Sequence, residues 1–231
     1  MNSISFHLKE YLEQQGADLV AFGDITELPP EQRNGLPIGV SVAVRYPKEV
    51  IRGISELPTQ EYYDWYKRLN MRLDAIVTAG AEWLQTRGYR ALARTRATVG
   101  KSQTEFGTTL PHKTVATRAG LGWIGKCVLL VTPQYGSMVR LSSILTDAPL
   151  ELAVPINVSR CGACTACADA CPARAVSGAL WHVGVQREAL YDPVRCSAAA
   201  RLRAKSSFGI DHTVCGKCIE ICPYTRKFLE S

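Results

Sequence analysis

Hydrophobic and polar positions alternate with two different periods along the amino-terminal part of the chain. Apolar side chains three to four positions apart predict amphipathic helices over 4–16 and 62–88, and each helix ends at a glycine. The runs 18–25 and 38–46 have the composition of β-strands, and the second is so evenly apolar that we expect it at the centre of a sheet. These elements predict a layered domain in which helices cover a sheet.

The pattern continues with shorter elements toward the middle of the chain. A strand is predicted over 89–95 and a short helix over 111–119, with proline at its start. The runs 126–132 and 137–146 predict two strands that pair around the turn at 133–136. For the whole chain we predict an α+β fold, in which an α/β layered domain with a mixed sheet is followed by a smaller domain of short helices and turns.

The amino terminus carries charged residues inside its apolar pattern, which is not typical of a secretory signal peptide. The longest apolar stretches fall far short of the ~20 residues that a bilayer requires. The sequence therefore predicts a cytoplasmic protein without a membrane segment. In such a reducing compartment, clustered cysteines bind metal more often than they form disulfides.

Cysteine usage changes near residue 155. Eight of the nine cysteines lie between Cys161 and Cys222, and only Cys127 lies outside that span. Residues 161–172 read C-x2-C-x2-C-x3-C-P, a spacing in which three thiolates wrap one 4Fe–4S cubane and the fourth reaches a second cubane. Residues 215–223 supply C-x2-C-x3-C-P, one cysteine short of that motif. Cys127, at the start of a buried run, is more typical of a small core residue than of a ligand.

Cys196 provides the missing thiolate, so that all eight clustered cysteines are used. The predicted first ligand set is Cys161, Cys164, Cys167 and Cys222, and the predicted second set is Cys171, Cys196, Cys215 and Cys218. Zinc is the alternative metal, but the three-residue gap and the trailing proline, both present twice, favour iron. We therefore predict a cofactor-binding α/β domain over 1–155 and a ferredoxin-like domain with two 4Fe–4S clusters over 156–231.

Two clusters of this kind pass electrons one at a time, which implies an electron acceptor in the preceding domain. The formal net charge of +6 becomes about +2 once each cluster contributes about −2, so charge is weak evidence for nucleic-acid binding.

A glycine-rich segment precedes the clustered cysteines. Gly120, Gly122 and Gly125 fall within six residues, with Trp123 and Ile124 between them. Their spacing matches G-x-G-x-x-G, but a helix rather than a strand is predicted before it, so a dinucleotide fingerprint is not indicated. Two interpretations stay open: a loop whose backbone packs against a large flat ligand, or a helix end followed by a turn into a core strand.

These features resemble the epoxyqueuosine reductase family, which is related to the reductive dehalogenases. The matching elements are 119–126, Gly136-Ser137, 145–147 with Leu150, and the eight-cysteine pattern including 192–196. The resemblance implies a cobalamin-binding α/β domain joined to the double-cluster module, in which electrons pass to cobalt and reduce an electrophile such as the epoxide of a tRNA-borne queuosine precursor. It also implies a corrinoid site lined by Gly120, Leu121, Gly122, Trp123, Gly125 and Lys126.

The sequence departs from this family in two places. The proton-donating Asp of the family lies three residues before a proline, and Thr108 holds that place before Pro111. The nearest candidate catalytic acids are Glu105 and His112, although a loop position and a first helical turn also explain them. The chain ends eight residues after Pro223, without the family's helical-repeat region, which predicts a short form and weakens the case for tRNA as a partner.

Two groups of basic residues bear on partners, and each has two open interpretations. The first either binds phosphates of tRNA or of a cofactor's nucleotide tail, or forms a solvated face. The second either docks a low-potential donor such as flavodoxin or ferredoxin, or balances the charge of the clusters. The first group is Arg87, Arg90, Arg94, Arg96, Lys101, Lys113 and Arg118, and the second is Arg201, Arg203, Lys205, Lys217, Arg226 and Lys227.

Three functions fit these observations. The leading prediction is an iron–sulfur, cobalamin-dependent reductase that acts on an organic electrophile, with epoxyqueuosine in tRNA as the best candidate. The second is a corrinoid-binding electron-transfer protein that reduces or stores cobalamin for a partner and has no organic substrate. The third places flavin on the same domain, because a glycine-rich loop is not specific for one cofactor. The sequence predicts no oligomeric state.

Overall fold

The computed structural model describes residues 3–100 and 107–231. In chain order, the helices and strands of the described residues are α1 (Ser3–Gln14), β1 (Leu19–Asp24), β2 (Ile38–Arg45), α2 (Lys48–Arg52), α3 (Gln60–Gln85), β3 (Ala91–Arg94), α4 (His112–Arg118), β4 (Trp123–Ile124), β5 (Leu130–Val131), β6 (Val139–Thr146), α5 (Ala166–Asp169), α6 (Arg187–Leu190), α7 (Pro193–Phe208), α8 (Lys217–Glu220) and α9 (Pro223–Glu230).

The chain divides into two compact units that each draw on several segments. Unit 1 consists of Met1–Val44, Leu69–Gly122 and Arg140–Ile156, and unit 2 consists of Arg45–Arg68, Trp123–Val139 and Asn157–Ser231. The predicted boundary at 155/156 coincides with the last of these divisions to within a residue. Two earlier segments belong to unit 2 rather than to a continuous amino-terminal domain, and composition gave no sign of this because they hold only one of the nine cysteines. The domains 1–155 and 156–231 stay a prediction.

Strands β1, β2, β6 and β3 form a sheet in the order β1-β2-β6-β3. β1 pairs antiparallel with β2, with Leu19 opposite Ala43, and β3 pairs antiparallel with β6, with Ala91 opposite Thr146. β2 lies inside the sheet and buries seven of its eight residues, which confirms its predicted central position. The predicted α+β class is confirmed.

Helix α4 lies directly against β1. A Cβ atom added at Gly23 would lie 2.4 Å from the carbonyl carbon of Arg118, so only a residue without a side chain allows this approach. Pro111 precedes the helix with an extended backbone, and the short helix predicted over 111–119 is confirmed. A buried cluster fixes α4 to the sheet, and its members are Ile25, Leu36, Leu110, Val115 and Leu145.

The predicted pairing of 126–132 with 137–146 is wrong. β5 instead pairs antiparallel with β4, and β6 pairs with β3. The reason is a tight turn before β5, in which Val128 has a φ of 62° and its N–H donates to the carbonyl of Gly125. This turn reverses the chain earlier than the Pro-containing turn that the sequence pattern favours.

Unit 2 consists mainly of short helices and turns, as predicted for the carboxyl-terminal part. Helix α7 begins after Asp192, whose carboxylate accepts from the N–H groups of Val194 at 2.9 Å and Arg195 at 3.0 Å. It ends at Gly209, which has a φ of 78°. Among the described residues, no helix is long and apolar enough to cross a membrane.

Candidate metal centre and a cationic cavity

A cavity of about 110 Å³ in unit 2 is lined by sulfur. All four cysteines of the predicted first ligand set line it, and Cys218 of the second set joins them. The remaining lining residues are Lys126, Cys127, Val131, Arg160, Pro223 and Tyr224. Thiol donors around one small cavity fit an iron–sulfur cluster, because each thiolate binds a different iron of a cubane. Within residues 3–100 and 107–231, no three His, Cys, Asp or Glu side chains converge as the ligands of one metal ion would.

Local backbone structure brings these cysteines together. The N–H of Cys164 donates to the carbonyl of Cys161 at 3.1 Å, which folds the first motif into a turn. Cys222 lies immediately before Pro223, the first residue of α9, and is buried. The proline fixes φ for the first helical turn, so the cysteine before it stays extended. Pro223 thus marks a change of chain direction directly after Cys222, a predicted ligand.

The predicted second set assembles around α7. Cys196 lies in the first turns of this helix. Its thiol lies near those of Cys171 and Cys215, since both raise its pKa after the larger effect of burial. The N–H of Ala175 points at the sulfur of Cys171 at 3.4 Å, as expected for a thiolate acceptor. The structure therefore brings together three of the four members, while Cys218 faces the first cavity.

Cys127, the ninth cysteine, also lines the sulfur-lined cavity. It is buried in the turn between β4 and β5 and lines the same cavity as Cys167 and Cys218. A Cβ atom added at Gly125 would lie 3.4 Å from the Cys127 sulfur. The interpretation of Cys127 as a core residue is correct for its burial but missed its position. The one signal in the sequence was its place directly after Lys126, at the end of the glycine segment.

The glycine segment packs against the chain itself at two of its glycines. A Cβ atom at Gly120 would lie 2.7 Å from the carbonyl oxygen of Val154, and one at Gly125 would lie 2.8 Å from Cγ2 of Val131. Gly120 also has a φ of 65°, after the end of α4. The positions of these two glycines therefore support the second interpretation, a helix end followed by a turn.

Trp123 supports the other interpretation. Its side chain is 1% exposed and packs edge-on against Tyr224, with the ring centroids 4.9 Å apart. Its indole Nε1 has no hydrogen-bond partner. A buried N–H without an acceptor is costly, so the segment fits a bound group that accepts a hydrogen bond. The assignment of the six residues from Gly120 to Lys126 to a corrinoid site stays a prediction.

A second cavity, of about 310 Å³, lies in unit 1. It is lined by Thr108, which the family resemblance predicts at the position of the proton donor, and by the candidate catalytic residue His112. Its other lining residues are Asn70, Leu73, Asp74, Arg94, Arg96, Val99, Arg140, Leu141 and Ser142. Glu105, the other candidate acid, lies outside the described residues, as does Lys101 of the first basic group.

His112 lies in this cavity as a neutral imidazole. Its Nδ1 is 2.9 Å from the hydroxyl of Ser143. Burial, followed by the charges of Arg94 and Arg140, lowers the pKa of His112 to about 4. At neutral pH the ring can therefore position a proton or accept one, but it holds no extra proton to donate as a cationic acid. Its catalytic role stays a prediction.

The first basic group does not form one solvated face. Arg94 is 6% exposed, and its Nη2 donates to the carbonyl of Leu110 at 3.2 Å. Arg118 is also buried and pairs with Glu27 at 2.8 Å. Arg87 lies over the ring of Trp83. The members thus differ in environment, which the linear sequence did not indicate.

The second basic group is partly neutralised within unit 2. Glu220 is buried and pairs with Lys217 at 2.8 Å and with Arg226 at 2.7 Å. Arg201 pairs with Asp211 at 2.9 Å. Burial raises the pKa of Glu220, but the hydrogen bonds from Lys217 and Arg226 outweigh it and lower the pKa overall. These ion pairs reduce the positive charge that an acidic electron donor would meet.

Comparison with known proteins identifies the cysteine-rich segment. The family model described as a 4Fe-4S double cluster binding domain matches residues 160–225, which include all eight clustered cysteines. Residues 160–225 are a double 4Fe–4S cluster-binding domain. The two predicted 4Fe–4S clusters are confirmed for this domain, and the zinc alternative is wrong. The division of the eight cysteines into two sets stays a prediction.

Similar sequences extend the match beyond the cluster domain. The epoxyqueuosine reductase of Pseudomonas aeruginosa is 32% identical over 115 residues, which is 50% of this chain and 32% of that protein. The epoxyqueuosine reductase of Bacillus subtilis is 45% identical over 84 residues, 36% of this chain and 20% of that protein. The resemblance to epoxyqueuosine reductases is thus confirmed. The matched part of the chain spans about a third or less of the length of these relatives.

Solved structures share the fold. A reductive dehalogenase whose structure suggests a mechanism for B12-dependent dehalogenation has a TM-score of 0.73 and 20% identity, and the match covers 96% of this chain and 33% of that one. An epoxyqueuosine reductase with an epoxyqueuosine-modified tRNA-Tyr stem loop has a TM-score of 0.62 and 21% identity, and the match covers 96% and 65%. The fold implied by the family resemblance is confirmed.

Proposed function

We propose that this chain is an iron–sulfur, cobalamin-dependent reductase that resembles epoxyqueuosine reductase. In this proposal, single electrons pass through the two 4Fe–4S clusters to a corrinoid, which serves to reduce an organic electrophile. The observation that carries the proposal is the double-cluster domain at 160–225 in a chain whose fold matches both epoxyqueuosine reductases and a B12-dependent dehalogenase. Epoxyqueuosine in tRNA is the best candidate substrate.

The chain's own residues supply three parts of this function. Eight cysteines bind the clusters, and the buried lysine of the glycine segment, Lys126, places a positive charge beside the first set. The six residues carried over from the family, from Gly120 to Lys126, would hold the corrinoid, and the unpartnered Nε1 of Trp123 fits a group with an acceptor. A bound corrinoid supplies a metal that becomes a strong reductant at low potential. Thr108 and His112 line the cavity of unit 1, where we place the substrate.

A specific observation favours a second candidate function. Thr108 lies at the position of the family's proton-donating Asp, and it lines the cavity without a carboxylate of its own. A threonine hydroxyl is not a useful general acid near neutral pH. A corrinoid-binding electron-transfer protein, which reduces cobalamin for a partner without turning over an organic substrate, requires no such acid.

An ultraviolet–visible spectrum tests the cofactor part of the proposal. The full chain is purified without oxygen, its clusters are reconstituted, and either cobalamin or flavin mononucleotide is added. A base-off corrinoid spectrum that remains after gel filtration is expected. Retention of flavin with no retention of cobalamin would contradict the proposal and favour the flavin alternative.

Turnover separates the two candidate functions. The cobalamin-loaded protein is reduced chemically and incubated with epoxyqueuosine, as the nucleoside and in a tRNA stem loop. Conversion to queuosine supports the reductase. A protein that binds and reduces cobalamin but converts neither substrate supports the electron-transfer alternative. Replacement of the chemical reductant by flavodoxin or ferredoxin then tests the proposed low-potential donor.

A further inference from the structure

The cavity of unit 1 contains a buried cation with an unused hydrogen-bond donor. Arg94 is 6% exposed, and one end of its guanidinium group donates to the carbonyl of Leu110. Its Nε is buried and has no hydrogen-bond partner. Burial lowers the pKa of Arg94, but an arginine stays charged at any physiological pH. A desolvated charge of this kind is costly unless an anion compensates it.

The other charges of the cavity leave it positive. Among the described lining residues, three arginines face one carboxylate, Asp74. That carboxylate is 2.7 Å from Nε of Arg96 and also accepts from the backbone N–H of Arg96. Arg140 donates from Nε and Nη2 to the neutral amide oxygen of Asn70, at 3.1 Å and 2.9 Å. His112 adds no charge at neutral pH, so the described lining has a net charge of about +2.

We propose that this cavity binds an organic oxyanion, a phosphate ester or a carboxylate, through Arg94 and Arg140. A guanidinium group presents planar donors that match the two oxygens of either anion. The anion accepts a hydrogen bond from Nε of Arg94 and neutralises a buried charge that has no counter-ion among the described residues. This inference rests on the proposed function and deepens it by naming the class of substrate, an electrophile that carries a negatively charged group.

Calorimetric titration of the full, cluster-loaded chain tests the site with three probes: inorganic phosphate, uridine 5′-monophosphate and benzoate. At least one probe is expected to bind to wild type, and Arg94→Gln is expected to weaken its binding tenfold or more. Arg87→Gln is the matched control, because it removes one positive charge from an exposed side chain outside the cavity. Binding of the nucleotide indicates a nucleotide-borne substrate, and binding of benzoate alone indicates a small carboxylic acid.

Binding of none of the three probes to wild type, or equal binding to Arg94→Gln, would overturn the inference. If Arg94→Gln does not fold, Arg140→Gln replaces it, because Arg140 is only partly buried and contacts the cavity from β6. The corrinoid spectrum of the same sample is recorded independently. A protein that binds cobalamin but no anion contradicts this inference and leaves the proposed function intact.

A separate observation concerns Cys127. Its buried thiol lines the sulfur-lined cavity together with Cys167, assigned to the first ligand set, and Cys218, assigned to the second. Its sulfur and that of Cys161 both adjoin Gly125, since an added Cβ there would be 3.4 Å from the first and 3.6 Å from the second. Eight cysteines already complete two cubanes, so this ninth thiol is left with its proton.

The geometry points to Cys127 as a positioning residue whose S–H group donates a hydrogen bond to a cluster-bound thiolate. A hydrogen bond to a ligand sulfur stabilises the more negative, reduced cluster and therefore raises its reduction potential. Cys127 would act in this way on a cluster without binding iron. The inference rests on the two clusters of the proposed function but not on the corrinoid or the substrate.

A redox titration followed by electron paramagnetic resonance tests this role in the cluster-loaded chain. Cys127→Val keeps the volume but removes the donor, and we expect the ratio of reduced to oxidised cluster at a fixed potential to fall about tenfold, or about 59 mV for one electron. Cys127→Ser, which keeps a donor, is expected to stay closer to wild type. Val131→Ala is the matched control, because it changes the same cavity wall without a donor.

Two results would overturn the inference. An unchanged potential in Cys127→Val would mean that the thiol makes no hydrogen bond that matters to the cluster. Loss of iron from Cys127→Val would mean that the residue is a ligand instead.

Discussion

The imidazole of His112 illustrates how one residue depends on its surroundings. In the sequence it is a histidine in the first turn of a helix, with an ordinary pKa near 6.5. In the structure it lies in a cavity with Arg94 and Arg140, whose charges oppose its protonation after the larger effect of burial. The lowered pKa makes the folded protein a poorer proton acceptor than the unfolded chain.

This difference predicts a loss of stability in acid that is specific to His112. The unfolded chain takes up a proton near pH 6.5 and the folded protein only near pH 4, so stability is complete above pH 6.5 and falls as the pH approaches 4. Between pH 7.5 and 5.5, we expect the opening free energy of α4 to fall by roughly 1 kcal/mol more in wild type than in His112→Gln. Hydrogen exchange of the loaded protein, corrected for intrinsic rates, measures this opening free energy. Parallel pH profiles for wild type and His112→Gln would contradict the lowered pKa of His112.

Cys127 and Arg94 are the residues whose roles the sequence could not indicate. Both belong to common residue types without a motif, and each was assigned the ordinary role for its pattern, a core residue and a member of a basic group. Their importance comes from neighbours that are distant along the chain, such as Cys218 for Cys127 and Arg140 for Arg94.

At the scale of elements, the strand pair β4–β5 and its following turn are joined to helix α9. The N–H of Ser137 donates to the hydroxyl of Thr225 at 3.1 Å, and Thr225 is fully buried. Gly136 has a φ of 57°, and an added Cβ would lie 2.2 Å from the backbone nitrogen of Thr225. This contact sets the start of α9, and Cys222 lies immediately before that helix.

Gly136→Ala is therefore expected to destabilise unit 2 strongly. An alanine with positive φ costs about 1 kcal/mol by itself, and the overlap with Thr225 adds about 1–3 kcal/mol more. Gly178→Ala is the matched control, since Gly178 has a φ of 82° but nothing within 4 Å of an added Cβ. Thermal unfolding of the loaded proteins is expected to give a lower midpoint for Gly136→Ala than for Gly178→Ala. Equal midpoints for the two variants would contradict the packing argument.

The elements that were predicted correctly are those with a long, regular pattern. α1, α3, β1 and β2 lie where the hydrophobic period placed them, because a helix or strand that buries one face must repeat apolar residues at its own period. The hairpin around residues 133–136 was wrong because two apolar runs beside a good turn do not specify a partner. The turn at Val128 reverses the chain before residues 133–136 are reached, and a positive φ at a β-branched residue has no sequence signature.

At the scale of the whole molecule, unit 2 contains the cluster domain and unit 1 contains a cationic cavity. The predicted ligand partition is the arrangement on which the proposed electron transfer would depend. Cys196 is the member with the weakest sequence signal, since it stands alone between the two motifs, yet it lies near Cys171 and Cys215 in the structure.

Replacement of Cys196 tests the partition. Cys196→Ser is expected to lose one cluster, so that iron falls to about half of the wild-type content while the remaining cluster keeps its absorbance. Cys127→Val is the control, because it removes a cysteine from the same unit that is assigned to neither set. Unchanged iron in Cys196→Ser would refute the assignment of this cysteine.

The sequence by itself determined the double 4Fe–4S domain, the α+β class and the central strand. Thiolate spacing and hydrophobic period are local constraints, so a short stretch of sequence is enough to recognise them. Tertiary structure alone decided that Cys127 joins the sulfur-lined cavity, that β6 pairs with β3, and that Thr108, His112 and the buried Arg94 line one cavity. Burial and charge at a point in space depend on every segment that packs there, and no local pattern records them.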